Sequence, residues 1–150
     1  IVAKADSYAE LAVINDLGET VDIHPLRKKE VAERAGQCFD RLIYNNKVLL
    51  SPEVVTSKVN DNSIVLTLDQ PVQPGEVYEF EVAAWDGDKV FQNMVASAAG
   101  NQITLTLPQD FHPMSKTYAV RYAWKDNPIK ANVRSLSGLP MSSFELIINK

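Results

Sequence analysis

The 150 residues are 45% hydrophobic and 23% charged, the proportions of a globular domain, which excludes a disordered, collagen-like or coiled-coil chain. A net charge of −4, with basic residues clustered only at Arg27-Lys28-Lys29, leaves no electrostatic footprint for nucleic acid. No apolar run approaches the roughly 20 residues that cross a bilayer, and the single cysteine, Cys38, cannot form an intrachain disulfide.

The chain opens on Ile1 rather than Met, with no charged segment ahead of an apolar one, so the expectation is a piece of a longer protein. Leu11-Ala12-Val13-Ile14 is a short continuous apolar run bounded by Asn15-Asp16 and Gly18. Such a run suits a strand buried on both faces, as in a parallel sheet. Over residues 26–43, Leu26, Val31, Ala35, Cys38, Phe39 and Leu42 recur at three- and four-residue spacing, which predicts an amphipathic helix. Pro25 suits its first position, where the missing N–H has no intrahelical partner, and Asn45-Asn46 suit a left-handed C-terminal cap. His24 then falls at the helix mouth.

From Pro52 the period changes from 3.6 to 2. Strands are predicted at 54–55, 64–68, 77–82, 89–94, 102–107, 118–124 and 144–148, punctuated by turn residues such as Asn60-Asp61-Asn62, Gln73-Pro74-Gly75 and Asp86-Gly87-Asp88. The short Ala-rich stretch 96–99 is assigned to no repeat. Many short strands without intervening helices point to an antiparallel β-sandwich. The fold class is therefore mainly β, an antiparallel β-sandwich preceded by a strand-loop-helix remnant of an α/β domain, with the boundary placed between 1–48 and 49–150.

Asp16 to Pro25 leaves the carboxyl end of the expected strand, where open α/β sheets collect reactive groups. Asp16, Asp22 and His24 lie in it. A histidine accepts a proton near neutral pH, and a nearby carboxylate fixes its tautomer and stabilises the imidazolium. The same residue types are also ordinary in loops and at helix starts, and Asp22 could instead cap the helix.

Residues 16–34, with Asp16-Leu17-Gly18-Glu19 and Asp22-Ile23-His24-Pro25-Leu26-Arg27, resemble the last catalytic block of the sialate O-acetylesterase family of SGNH hydrolases. A second stretch, Ala119-Val120-Arg121-Tyr122-Ala123-Trp124-Lys125-Asp126-Asn127-Pro128 followed by Gly138-Leu139-Pro140-Met141-Ser142-Ser143-Phe144, is similar to that family's C-terminal signature. The resemblance implies an SGNH-like, flavodoxin-like α/β domain and a Ser-His-Asp esterase removing O-acetyl groups from sugars, sialic acid or acetylated plant glycans among them. It implies His24 as the base and a periplasmic or extracellular location. The nucleophilic serine and the oxyanion residues would come from an upstream N-terminal segment, the implied partner, whose motifs do not occur in this sequence. Many SGNH hydrolases carry the acid three residues before the histidine, where this chain has Val21; Asp22 is the first choice here, Asp16 the alternative, and a backbone carbonyl a third way to orient the ring.

Ser135, Ser137, Ser142 and Ser143 fall in a Gly/Pro-containing loop and read as turn formers, and His112 reads as a loop residue. No spacing points to a zinc or calcium site, so neither metal nor cofactor is expected. Arg121, Tyr122 and Trp124 are candidates for a sugar-binding surface, against the preferred alternative of a buried aromatic strand with alternating faces. A noncatalytic sandwich that binds carbohydrate or supports a neighbouring domain is the competing function.

Overall fold

The computed structural model describes residues 6–112 and 114–150, so the opening at Ile1 lies outside the described part. Among the described residues there is a helix, α1 (Lys28–Tyr44), followed by nine strands: β1 (Val54–Asn60), β2 (Ser63–Leu68), β3 (Gly75–Val77), β4 (Phe80–Ala84), β5 (Gln92–Asn93), β6 (Val95–Ala99), β7 (Gln102–Thr106), β8 (Thr117–Tyr122) and β9 (Phe144–Asn149). The strands make two antiparallel sheets, one ordered β1-β2-β7-β6-β3 and the other β5-β4-β8-β9. This is the β-sandwich that the alternation of apolar residues called for.

The alternation shows in β2, where Ile64, Leu66 and Leu68 are buried and the residues between them are half-buried. Ile103 and Leu105 of β7 and Ala96 and Ala98 of β6 complete one inner face, and Phe80, Val82, Tyr118, Val120 and Tyr122 supply the other. Phe80 and Tyr122 pack with ring centroids 4.7 Å apart at the centre. Each such aromatic contributes roughly 1.5–3 kcal/mol by leaving water. The Tyr122 hydroxyl accepts the Val133 backbone N–H at 3.0 Å, so the polar atom buried with the ring is satisfied. Burial pushes the Tyr122 phenol up to about 12, leaving it neutral.

Several elements differ from their sequence-based prediction. Residues 77–82 are two strands in different sheets, because Glu79 adopts a left-handed conformation (φ 65°) and breaks the pleat. The break is held from outside: Asn132 accepts the Tyr78 N–H at 3.0 Å and donates to the Glu76 carbonyl at 2.9 Å, and Glu79 pairs with Lys125. The expected strand 89–94 shrinks to β5, since Lys89 also has positive φ (57°). The Ala-rich stretch belongs to a full strand, β6, whose small residues at 96 and 98 face the core. In the N-terminal region, residues 11–14 belong to no strand: Val13 is buried, whereas Leu11 and Ile14 are each nearly half exposed.

The helix starts later than expected. Lys28 N–H bonds to the Leu26 carbonyl at 2.8 Å, a tight turn centred on Arg27 (φ −78°, ψ 48°) that keeps Pro25 and Leu26 out of the helix. Its end is as expected: Asn45 is left-handed (φ 52°), and its N–H caps the Asp40 carbonyl. The helix lies against the segment before it through Arg34 and Arg41, which reach the Val13 carbonyl and Glu10, and Cys38 is its buried residue. The opposite stripe, Ala32, Ala35, Gly36, Phe39 and Ile43, is exposed. No helix among the described residues is long and apolar enough to cross a membrane.

Candidate functional site

The loop that runs from Asn15 to Arg27 contains no regular secondary structure, and its two ends are fixed by Asp16 and Arg27. Asp16 is largely buried, its side chain 10% exposed, and accepts from two guanidinium groups. Arg34 of α1 reaches its two oxygens at 2.5 and 3.0 Å, and Arg134 from the loop before β9 reaches Oδ2 at 2.9 Å. Burial by itself would raise the Asp16 carboxyl; the hydrogen bonds from Arg34 and Arg134, helped by their charges, outweigh it and hold the group below the ordinary aspartate value. Asp16 thus ties the helix to the sandwich and is saturated by these partners.

Asp22 and His24 meet on the outer part of the loop. The Asp22 Oδ1 accepts the His24 backbone N–H at 2.8 Å and lies 3.4 Å from His24 Nδ1. Asp22 therefore turns the chain back on itself and does not cap the helix; Arg27 occupies the cap position without a side-chain cap bond. Nor is His24 at the helix mouth, since the tight turn at Arg27 separates it from Lys28. Its side chain is 77% exposed and that of Asp22 58%. A carboxylate beside Nδ1 favours the tautomer with the proton there, which leaves Nε2 free to accept a proton from a hydroxyl.

The serines of the C-terminal loop are bonded into its turns. Ser135 is fully buried, lies 2.8 Å from the Ser137 hydroxyl and accepts the Leu139 N–H; Ser143 donates to the Ala123 carbonyl at 2.9 Å and Ser142 to the Ser143 carbonyl at 3.3 Å. The Cys38 thiol is pushed up by burial and by the charge of Glu10, which disfavours the nucleophilic thiolate. His112 sits in a left-handed backbone position (φ 43°) against Phe111, with Asp88 at 4.0 Å from Nε2. Among the described residues no group of three or more His, Cys, Asp or Glu side chains comes together to hold a metal ion.

Arg121 lies on the outer side of β8, and Trp124 follows the end of that strand, where Ala123 takes a left-handed conformation (φ 50°). The Arg121 guanidinium stacks 3.6 Å above the Phe91 ring and 5.4 Å from that of Trp124, and its Nε donates to Glu145 at 2.6 Å. Trp124 is half exposed and borders a groove of about 330 Å³ with Leu11, Pro52, Val54, Met141 and Phe144. The aromatic strand is thus divided: Tyr122 points into the core and Arg121 outward, as alternation requires.

The sequence reasoning did not pick out Asn15, Thr20, Arg34, Asn127 and Arg134, which hold the loop. The Asn15 side chain donates to the Met141 carbonyl at 3.0 Å and that of Asn127 to the Thr20 hydroxyl at 3.1 Å. Nothing in their spacing signals a contact across more than 100 residues.

No family model and no curated protein matches the chain. Among solved structures it is similar to a carbohydrate acetylesterase from Xanthomonas citri, with a TM-score of 0.76 and 27% identity over 90% of this chain. The match spans 32% of the acetylesterase's length. The chain is thus structurally homologous to part of a bacterial carbohydrate acetylesterase.

Proposed function

We propose that this chain is the C-terminal, histidine-bearing part of a carbohydrate O-acetylesterase of the sialate O-acetylesterase kind. Residues 1–48 would complete an SGNH-type α/β hydrolase domain and residues 49–150 form its C-terminal sandwich. The observation that carries the reading is the likeness, at 27% identity over 90% of the chain, to an enzyme that removes acetyl groups from carbohydrate. The contact between Asp22 and His24 supplies a suitable base, and the exposed stripe on α1 supplies a surface for the upstream segment.

In this mechanism His24 Nε2 takes the proton of a serine hydroxyl from the upstream segment as its oxygen attacks the acetyl carbonyl. The tetrahedral intermediate collapses with cleavage of the bond to the sugar oxygen, which receives the proton from His24, and an acetyl-enzyme remains. Water, deprotonated by the same imidazole, attacks this ester to release acetate and restore the serine. Asp22 orients the ring and stabilises its cationic form, in preference to Asp16, which is already held by two arginines. The substrate is an O-acetylated sugar, a 9-O-acetylated sialic acid or an acetylated xylan, met in the periplasm or outside the cell.

The test is hydrolysis of a chromogenic acetyl ester by the complete protein. His24→Ala should lower kcat/KM by on the order of 10⁴ or more. An unchanged rate would instead favour a noncatalytic sandwich for carbohydrate binding or support, a role for which the half-exposed Trp124 at its groove is the specific feature.

A further inference from the structure

Residues before α1 and residues after β8 converge on the loop that carries Asp22 and His24. Asn15 and Asp16 at its start are bonded to Met141 and Arg134, and Arg134 is itself anchored by donating to the Gly138 carbonyl at 2.9 Å. Arg27 at its end donates to the Asp16 carbonyl at 3.3 Å and pairs with Glu30 at 3.0 Å. Between these ends the bond from Asn127 Nδ2 to Thr20 Oγ1, at 3.1 Å, ties the loop to the sandwich two residues before Asp22. Asn127 follows β8 in the turn Lys125-Asp126-Asn127-Pro128.

We infer that Asn127 is a positioning residue for the esterase reaction, holding the outer part of the His24 loop in register through Thr20. The inference rests on the esterase reading above. With both ends of the loop fixed, Asn127 decides how far its middle strays, and with it where the Asp22–His24 pair stands. Because a catalytic base displaced by about 1 Å loses on the order of 100-fold in rate, a single hydrogen bond that restrains the segment is enough to matter. This gives the sandwich a part in catalysis that requires no contact with the sugar.

The experiment uses the complete protein and the same chromogenic acetyl ester, with kcat and KM separated. Asn127→Ala and Thr20→Ala should each lower kcat by about tenfold while KM stays within about twofold, the mark of a misplaced base rather than a damaged binding site. The double variant should be no worse than either single one, because both remove the same bond. Thr20→Ser, which keeps the hydroxyl, should retain nearly full kcat. Unchanged kcat in both alanine variants, additive losses in the double variant, or a Thr20→Ser as poor as Thr20→Ala would overturn the inference. His24→Ala run beside them separates the two levels: if it is inactive while Asn127→Ala is normal, only the positioning role falls, and if it is fully active the esterase reading falls and takes this inference with it.

Discussion

The sandwich buries its apolar residues from two facing sheets, whereas the region before it leaves many of its own in water. Phe80, Val82, Ile64, Leu66 and Tyr122 are all at most 1% exposed, while Leu26, Phe39, Ile43 and Tyr44 are each more than half exposed. Both regions carry clear apolar periodicity, so the difference does not lie in local pattern. It lies in whether a complementary surface is present: the strands find one in the opposite sheet, and among the described residues the helix finds one for the side that bears Arg34 and Cys38. The proposed upstream segment would supply the facing layer that this exposed stripe would pack against.

The largest effect that would sharpen this contrast is in the sandwich. Phe80→Ala should destabilise the chain by about 4 kcal/mol, since it removes a fully buried ring and leaves a cavity in the core. Chemical denaturation measures it, and a loss below about 1 kcal/mol would mean the inner faces are loosely packed.

A smaller loss is expected where the two regions are joined. Asp16→Ala should cost about 2 kcal/mol, because it leaves the Arg34 and Arg134 guanidiniums without their shared acceptor. The same carboxylate sets a pH dependence. Its folded value is depressed below the ordinary 3.8, so its contribution is fully present above that pH and is lost as pH falls through the folded value. Denaturation curves of the wild-type and Asp16→Ala proteins should therefore differ near neutrality and draw together below about pH 4.

The smallest effect is on the exposed stripe. Phe39→Ala should change the stability of this chain by no more than about 1 kcal/mol, most of it from the edge-on contact with Tyr44, whose ring centroid is 5.8 Å away. If the proposed upstream segment covers the ring, the same change in the complete protein should cost about 3 kcal/mol. Equal effects in both would break the comparison, leaving the stripe with no partner.

Individual residues show where the sequence was legible. The period-2 run Ile64-Val65-Leu66-Thr67-Leu68 announced a strand with one buried face because strand pairing preserves that alternation. Val77 to Val82 looked as continuous, yet the chain changes sheets at Glu79, and what holds that break is Asn132, more than 50 residues away in sequence. β6 was hidden because its inward residues are alanines, which pack well only where the opposite sheet comes close. At the candidate site the residue types were legible and their geometry partly so: Asp22 does lie beside His24, whereas Asp16 turned out to be a brace between two arginines. Thr20 and Asn127 gave no signal, since a hydroxyl and an amide that meet only in the folded chain look like any other loop residues.

The measurement closest to the central claim is covalent labelling of the complete protein with a fluorophosphonate, which captures a serine activated by a neighbouring base, followed by peptide mapping. A single labelled serine is expected in the polypeptide upstream of residue 1, with labelling abolished in His24→Ala. A label on Ser135, Ser137, Ser142 or Ser143, or upstream labelling indifferent to His24, would contradict it.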